Sequence, residues 1–404
     1  MKKTFYIFFS VLFITGCMKE DIYQWRGYNR DGIYNESNLL KEWPKDGPKL
    51  IWATDSILGN GFSSPIIKDD KIYLNGEIDS TCYLFVLDLD GNIIRKSPFG
   101  EEWTKYFPGS RSTPTLVGDL IYLSSSKGEI ACLSAENGEK VWSVNILRNF
   151  HGVNTRFGYT ESLLVDDEKI FCSPGGKDTN IVALDRFTGK TLWISNGTGE
   201  MSAFCSPMLV KMNKRKIVVN FSEHSVYGID AETGEFLWSH DQDTLSDVHG
   251  NTPIYKDGHI YYTAGGGNMT VKLKLNDDGS AISEVWRCKK MDNVQGGVVL
   301  VDDKLIGTGH RIQKLWSLDI NTGKLTDSLP VGRGCTIFAD SMIYTYNDRG
   351  IMSLVKILPK FELAGSFKVE KGTKEHFAHP VISNGVLYIR RGKVLMAYDI
   401  RQKD

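Results

Sequence analysis

Nine residues carry side chains that could together bind a ligand: aromatic rings, guanidinium groups, imidazoles and one carboxylate. They are Arg111, Arg156, Tyr159, Glu161, Phe204, His249, Arg333, His376 and His379. Rings stack on sugars and peptides, and guanidinium groups pair with carboxylates. The set therefore favours a sugar, a carboxylated polymer or a peptide as ligand. The alternative is that these residues only mark places where strands end in water.

The same residues offer little for metal or covalent chemistry. Glu161 is a lone acid among them, whereas calcium needs several converging oxygen ligands. The three histidines come from repeat units five and eight, and nothing in the sequence fixes the distance between them in space. The segment "DLDG" (88–91) lacks the downstream Glu of a calcium loop, which favours a structural turn. No GxSxG or CxxC motif occurs. We therefore predict no metal, no cofactor and no catalytic residue.

An internal repeat indicates which elements position the nine residues. Strand starts recur at Pro65, Pro114, Ser162, Pro207, Pro253, Val298, Thr336 and Pro380. Four short strands per unit at this period are typical of a propeller blade. The sequence predicts an all-β fold, an eight-bladed β-propeller of four-stranded antiparallel blades. Because equivalent positions of a repeat lie on one ring, the nine residues should surround the channel mouth.

The turn between the third and fourth strands has a recurring sequence, seen in "GIDAETGEFLW" (228–238). Its glycine supplies the positive φ of a tight turn, and its tryptophan should fill the space between adjacent blades. The glycines are Gly138, Gly189, Gly234 and Gly323, and the tryptophans are Trp142, Trp193, Trp238 and Trp286.

The two ends of the chain predict how the ring closes. The eighth unit stops at "VLMAYDIRQKD" without a fourth strand, and "PKLIWATD" (48–55) precedes the first strand start. The N-terminal strand should complete the last blade and remove an exposed edge. We expect a signal segment at 1–17, a tether and lead segment at 18–47, and the propeller at 48–404.

The repeat "GIDAETGEFLW" resembles the signature of quinoprotein dehydrogenases, propellers that carry pyrroloquinoline quinone (PQQ). From "WRGYNRDG" (25–32) onwards, the chain resembles a bacterial family of PQQ-like repeat propellers. It is more distantly similar to the propeller lipoprotein of the outer-membrane β-barrel assembly machinery. The dehydrogenases hold their quinone against a disulfide between adjacent cysteines, with calcium beside it. No two of the seven cysteines are adjacent here, so the resemblance implies the fold without the cofactor.

The first 17 residues resemble a bacterial lipoprotein signal. Lys2 and Lys3 precede a short apolar run, and "ITGC" (14–17) resembles a lipobox that ends at Cys17. We expect lipidation of Cys17 and anchoring in the outer-membrane bilayer. The acidic "MKED" (18–21) resembles a surface-export tag, so the periplasmic face and the cell surface both stay open. The other six cysteines, scattered through the repeats, should be small buried hydrophobic residues.

The charge balance bears on the class of partner. With 48 basic and 49 acidic residues the formal net charge is -1, which disfavours nucleic acid as a partner. We expect a non-catalytic binding or scaffold lipoprotein that recognises a protein or a glycan through the propeller mouth or the blade edges. The alternative is a quinoprotein-type oxidoreductase or a polymer-acting enzyme that uses the mouth.

Overall fold

The described part of the chain begins with three short strands that belong to blades formed later in the sequence. The computed structural model describes residues 21–242, 248–265 and 269–403. Its first strands are Ile22–Tyr23 (β1), Ile33–Tyr34 (β2) and Lys49–Ala53 (β3). Cys17 lies outside the described residues. Within those residues no helix has the length and apolar character needed to cross a membrane.

The next 28 strands, β4–β31, form blades 1 to 7, and within each blade the strands follow one another from the axis outwards. Blades 1 to 4 consist of Ile66–Lys68, Lys71–Ile78, Thr81–Asp88 and Ile93–Glu101 (β4–β7); Thr115–Val117, Leu120–Ser124, Glu129–Ser134 and Lys140–Asn145 (β8–β11); Leu164–Asp166, Lys169–Cys172, Ile181–Asp185 and Thr191–Ser195 (β12–β15); and Met208–Lys211, Lys216–Phe221, Ser225–Asp230 and Phe236–Asp241 (β16–β19). One helical turn, Ile146–Asn149 (α1), follows β11.

Blades 5 to 8 continue the same pattern. They consist of Ile254–Lys256, His259–Thr263, Thr270–Leu275 and Ile282–Cys288 (β20–β23); Val299–Val301, Lys304–Thr308, Leu315–Asp319 and Leu325–Leu329 (β24–β27); Gly334–Ala339, Met342–Asn347, Ile351–Lys356 and Glu362–Lys368 (β28–β31); and Val381–Ser383, Val386–Arg391 and Val394–Asp399 (β32–β34). In blade 8, β3 supplies the outer strand and pairs antiparallel with β34. The predicted eight-bladed fold and its closing N-terminal strand are confirmed.

Three of the four predicted repeat tryptophans dock on the turn glycine of the following blade, whereas Trp238 donates its Nε1–H to the Gly279 carbonyl oxygen at 3.1 Å. Trp142 Nε1 donates a hydrogen bond to the Arg186 carbonyl oxygen at 2.9 Å, and its ring covers Gly189. Gly189 has a φ of +71°, and a Cβ there would come within 2.7 Å of the ring. The same contact joins Trp193 to Gly234, Trp286 to Gly323 and Trp52 to Gly91. The predicted packing role is confirmed, and its partner is the glycine itself.

The hydrophobic cores lie between neighbouring blades. Phe171 of blade 3 packs with Tyr227 of blade 4, and Leu74 of blade 1 packs with Tyr388 of blade 8. Cys82, Cys132, Cys172, Cys205, Cys288 and Cys335 are all buried and free of disulfide bonds. They behave as the small hydrophobic residues that the sequence predicted.

Residues 21–47, the lead segment, cross the axis at one end of the channel. β1 pairs antiparallel with β8, with Ile22 opposite Val117. β2 pairs parallel with β28, with Ile33 opposite Phe338. The lead segment thus adds a fifth, innermost strand to blade 2 and another to blade 7. It lies where the inner strands finish, at the end opposite the predicted mouth.

Candidate functional site

At the end where the inner strands begin, five phenylalanine rings lie in a row across the channel mouth. The ring centroids of Phe204 and Phe157 are 5.6 Å apart, and those of Phe157 and Phe107 are 5.7 Å apart. Phe107 lies 5.8 Å from Phe377, which lies 5.5 Å from Phe62. The rings come from the loops that lead into blades 1, 2, 3, 4 and 8. We call this row the phenyl mouth.

Part of the phenyl mouth is open to solvent. Phe107 is 40% exposed, and its neighbour Tyr106 is 69% exposed. Val153, on the loop that leads into blade 3, is 46% exposed. An exposed apolar surface bordered by polar groups is typical of a protein interaction site.

Arg111, predicted to face a ligand, instead supports the loop that carries Phe107. Its Nη1 donates to the Gly109 carbonyl oxygen at 2.7 Å, and its Nη2 donates to those of Tyr106 and Phe107 at 3.0 and 2.6 Å. Burial lowers the pKa of Arg111 to about 10. Because its donors are directed at backbone carbonyls, Arg111 positions the phenyl mouth.

The other two predicted arginines lie at different places on the rim. Arg156 is exposed, with its guanidinium carbon 4.7 Å from the ring centroid of Phe157. Arg333 is half-buried and forms an ion pair with Asp348, Nε to Oδ2 2.5 Å. Arg156 therefore lies beside the phenyl mouth, and the charge of Arg333 is balanced by Asp348.

Tyr159 and Glu161 are buried beneath the rings. The Tyr159 hydroxyl donates to Glu161 Oε2 at 2.6 Å, and the Ser173 N–H donates to the same oxygen at 3.1 Å. Burial raises the pKa of Glu161 to about 7, against the lowering effect of these donors and of Arg30. Glu161 is 2% exposed, so it is a core carboxyl group and does not line the open mouth.

The three predicted histidines are separated and buried. His249 stacks on Phe221 and lies 3.1 Å from the Glu223 carbonyl oxygen. His376 contacts the Tyr346 hydroxyl, and burial lowers the pKa of His376 to about 4. His379 lies 3.2 Å from Arg26 Nη1, and burial followed by the charge of Arg26 lowers its pKa to about 3. Among the described residues no group of three His, Cys, Asp or Glu side chains is placed to hold a metal ion.

At the opposite end of the channel, two arginines of the lead segment reach into the axis. Arg26 donates to the Val298 and Thr336 carbonyl oxygens at 2.8 and 3.3 Å, and Arg30 donates to those of Ser162 and Leu163 at 2.7 and 3.0 Å. These carbonyls belong to blades 3, 6 and 7. Both arginines are at most 4% exposed.

Sequence reasoning missed Phe107, Phe157, Arg26 and Arg30. Equivalent positions one and three residues before each strand start were expected on the rim of the mouth. Phe107 and Phe157 lie seven and five residues before the strand starts Pro114 and Ser162. Both precede a Gly or Pro in a loop, "KYFPGS" and "TRFGYT", and an aromatic residue at that place was the available signal. Arg26 and Arg30 lie outside the repeat, so the repeat could not predict their partners.

A groove of about 1030 Å³ opens at the lead end, between the lead segment and blades 3 and 4. Tyr28, Leu209 and Phe187 form apolar walls, and Lys169 and Glu232 pair across it at 2.7 Å. Acidic and basic side chains both line the groove, so the lining does not favour a ligand of one charge sign.

These features define the class of protein: an eight-bladed propeller with tryptophan-docking repeats and a lead segment that brings two buried arginines to the axis. A family model described as "Outer membrane protein assembly factor BamB" matches residues 59–144 and 86–326. The chain belongs to this family of PQQ-like repeat propellers related to BamB.

Curated relatives include both branches of the propeller group. Outer membrane protein assembly factor BamB of Kangiella koreensis is 29% identical over 154 residues, which are 38% of this chain and 34% of that protein. Methanol dehydrogenase [cytochrome c] subunit 1 of Methylorubrum extorquens is 27% identical over 192 residues, 41% of this chain and 29% of that protein. The chain thus spans about a third of the length of these two relatives.

Solved structures share the fold at low sequence identity. BamB from Moraxella catarrhalis superposes with a TM-score of 0.63 at 13% identity, covering 88% of this chain and 98% of that one. A europium-containing methanol dehydrogenase gives 0.67 at 10% identity, covering 93% and 90%. At this identity the likeness establishes the propeller architecture alone.

The residues at the axis do not fit the quinone that the dehydrogenase relatives imply. At one end the phenyl row of blades 8, 1, 2, 3 and 4 lies in mutual ring contact, and Ser64, Thr113 and Glu161 at the strand starts are at most 3% exposed. At the other end the guanidinium groups of Arg26 and Arg30 occupy the axis. A flat cofactor would have to displace one of these two layers.

Proposed function

We propose that this protein is a non-catalytic docking scaffold, anchored at the outer membrane through a lipid on Cys17, that presents the phenyl mouth to a partner protein. The observation that carries the proposal is the solvent-exposed part of the phenyl row, Phe107 with Tyr106, held in place by Arg111. Exposed aromatic residues on a supported loop are typical anchors of protein interfaces.

The chemistry of the mouth favours a protein over a glycan. A sugar needs hydrogen-bonding partners beside the stacking ring, because its hydroxyl groups lose water on binding. Phenylalanine provides none, Arg111 donates to backbone carbonyls, and Arg333 is paired with Asp348. An apolar or aromatic side chain of a partner matches the rings better.

The location follows from the chain's start and from its relatives. Lipidation of Cys17 would hold the propeller at a bilayer, and the BamB relatives are named as outer membrane protein assembly factors. We place the protein at the outer membrane, on its periplasmic face or at the cell surface. Replacement of Cys17 by Ser should move the protein from the membrane fraction to the soluble fraction, and a Cys17→Ser protein that stays with the membrane would contradict lipid anchoring.

Photocrosslinking tests the mouth directly. A benzophenone amino acid replaces Tyr106 at the mouth, or Tyr28 at the lead end as a matched control, since both are exposed tyrosines, 69% and 61%. Cells are irradiated and adducts of the full-length protein are separated by size. We expect a protease-sensitive adduct at position 106 that is absent or weak at position 28.

Other outcomes would change the assignment. Equal adducts at positions 106 and 28, or none at 106, would remove the mouth as the docking surface. A protease-resistant adduct that contains carbohydrate would replace the partner protein with a glycan. A near-ultraviolet absorbance of bound quinone in the purified protein would support an oxidoreductase instead.

A further inference from the structure

The outer strand of blade 3, Thr191–Ser195 (β15), is an unpaired edge. It pairs with β14 on one side, and in the described part of the chain no strand pairs with its other side. The backbone N–H and C=O groups that point outward from such a strand are free to pair with another extended chain. All eight blades have an outer edge of this kind, so the side chains decide which edge is open to pairing.

β15 lacks the charged residues that protect the other edges. Its sequence, "TLWIS", contains no ionisable side chain. Each of the other seven outer strands contains at least one, such as Arg95 in β7, Glu284 in β23 and Asp327 in β27. Charges on an edge strand discourage pairing with a second strand. β15 therefore differs from its seven counterparts in being uncharged.

Two branched aliphatic side chains on β15 face solvent at alternate positions. Leu192 is 47% exposed and Ile194 is 50% exposed, while Trp193 between them packs on Phe171 with ring centroids 5.8 Å apart. Alternate residues of a strand lie on one face. Leu192 and Ile194 thus form an apolar stripe of two residues along the free edge.

The apolar surface continues beyond the strand. Phe187, in the turn that leads into β15, is 44% exposed and borders the groove of about 1030 Å³ at the lead end. A chain segment that pairs with β15 can continue over Phe187. The available surface is therefore longer than the five residues of the strand.

We propose that β15 is a docking edge that receives an extended, uncharged segment of a partner protein as the fifth strand of blade 3. Only another extended backbone satisfies a row of free N–H and C=O groups at the spacing of a strand. The propeller already receives such additions, because β1 adds to blade 2 and β2 adds to blade 7. The segment must be apolar at every second residue to cover Leu192 and Ile194.

The buried area argues for a partner segment over a second copy of this chain. Pairing of two five-residue strands covers far less than the total of about 1,200 Å² that a stable interface needs. A partner segment is not limited to the five residues of the strand, because it can continue over Phe187, which is 44% exposed. The edge lies on the side of the propeller, away from the phenyl mouth, so this proposal stands whether or not the mouth binds a protein.

Peptide binding to the detergent-solubilised full-length protein tests the edge. The probe is a fluorescein-labelled octapeptide of alternating Val and Thr, and its control has proline at two central positions. Fluorescence anisotropy is measured with the wild type, with Ile194→Lys, and with Val141→Lys as a matched variant on the outer strand of blade 2, where Val141 is 51% exposed. We expect binding to the wild type and to Val141→Lys, at least tenfold weaker binding to Ile194→Lys, and none of the proline peptide.

Several results would overturn the proposal. They are absence of Val–Thr peptide binding to the wild type, equal weakening by Val141→Lys and Ile194→Lys, and equal binding of the proline peptide. A wild-type dimer in sedimentation that Ile194→Lys converts to a monomer would assign the edge to a second copy. Thermal unfolding verifies that each variant is folded, and Leu192→Lys replaces Ile194→Lys if the latter fails to fold.

Discussion

The two ends of the axial channel carry side chains of different chemistry. At the lead end, Arg26 and Arg30 close the channel with charged groups that donate to backbone carbonyls of blades 3, 6 and 7. At the mouth, five phenylalanines form a row of ring contacts, and Phe107 is 40% exposed. The lead end is therefore a buried polar structure, whereas the mouth keeps apolar surface in contact with water.

This difference separates a stabilising region from the proposed binding region. Burial lowers the pKa of Arg30 to about 10, because a charged guanidinium group is unfavourable away from water. Charge-assisted hydrogen bonds to the Ser162 and Leu163 carbonyl oxygens offset that cost. Rings that stay exposed contribute less to stability and remain available to a partner. Mutations at the two ends should therefore differ in what they change.

The largest expected effect is at Arg26. Arg26→Ala removes the donors that satisfy the Val298 and Thr336 carbonyls and should lower the free energy of unfolding by about 4 kcal/mol. Urea unfolding followed by tryptophan fluorescence measures it. Arg156→Ala, an exposed arginine at the mouth, is the control and should change the free energy by less than about 0.5 kcal/mol. Equal effects of the two substitutions would remove the distinction between the ends.

Glu161 gives the next largest effect, and it depends on pH. Its pKa in the folded protein is about 7, against 4.5 as the ordinary value. Between these values the folded protein holds a proton that the unfolded chain releases, so stability falls as pH rises from 4.5 to about 7. The full difference is about 3 kcal/mol. The wild type should lose this stability relative to Glu161→Gln over that window.

The histidines contribute to the same pH range with the opposite sign. Burial lowers the pKa of His379 to about 3, so its contribution to stability is lost as pH falls below its ordinary value of 6.5. Subtraction of the Glu161→Gln unfolding curve from that of the wild type cancels this contribution. A difference curve that is flat between pH 4.5 and 7 would show that Glu161 titrates normally and is not desolvated beneath the mouth.

The repeat predicted much of this architecture but only part of either channel end. Gly189 and Trp142 recur at a fixed spacing, and their packing needs only neighbouring blades, so the sequence predicted the blades and the closing strand. Arg26 lies outside the repeat, and its carbonyl partners are 272 and 310 residues away. The equivalence of repeat positions predicted that Arg111 and Phe204 lie at the mouth. It could not predict that Arg111 bonds to its own loop, because loop conformation has no repeat.

Gly32 tests how tightly the lead segment fits, with a moderate effect. Its φ is +77°, and an added Cβ would collide with the guanidinium group of Arg26. Gly258 has a similar φ of +74° with nothing within 4 Å of such a Cβ, so Gly258→Ala should cost about 1 kcal/mol for backbone strain alone. Gly32→Ala should cost about 2 kcal/mol more, because Arg26 must move. Similar unfolding free energies for the two variants would show that Arg26 adapts freely.

The smallest effect on stability, and the sharpest on binding, is expected at Phe107. Because the ring is 40% exposed and packs in T-shaped pairs with Phe157 and Phe377, Phe107→Ala should lower the free energy of unfolding by less than about 1 kcal/mol. A buried ring such as Phe221, 1% exposed, should cost about 4 kcal/mol when replaced by Ala. If the mouth docks a protein, Phe107→Ala should reduce the photocrosslink from position 106 at least tenfold while its unfolding curve stays near that of the wild type. An unchanged crosslink would mean that the rings close the channel without binding, and the two ends would then differ in chemistry but not in function.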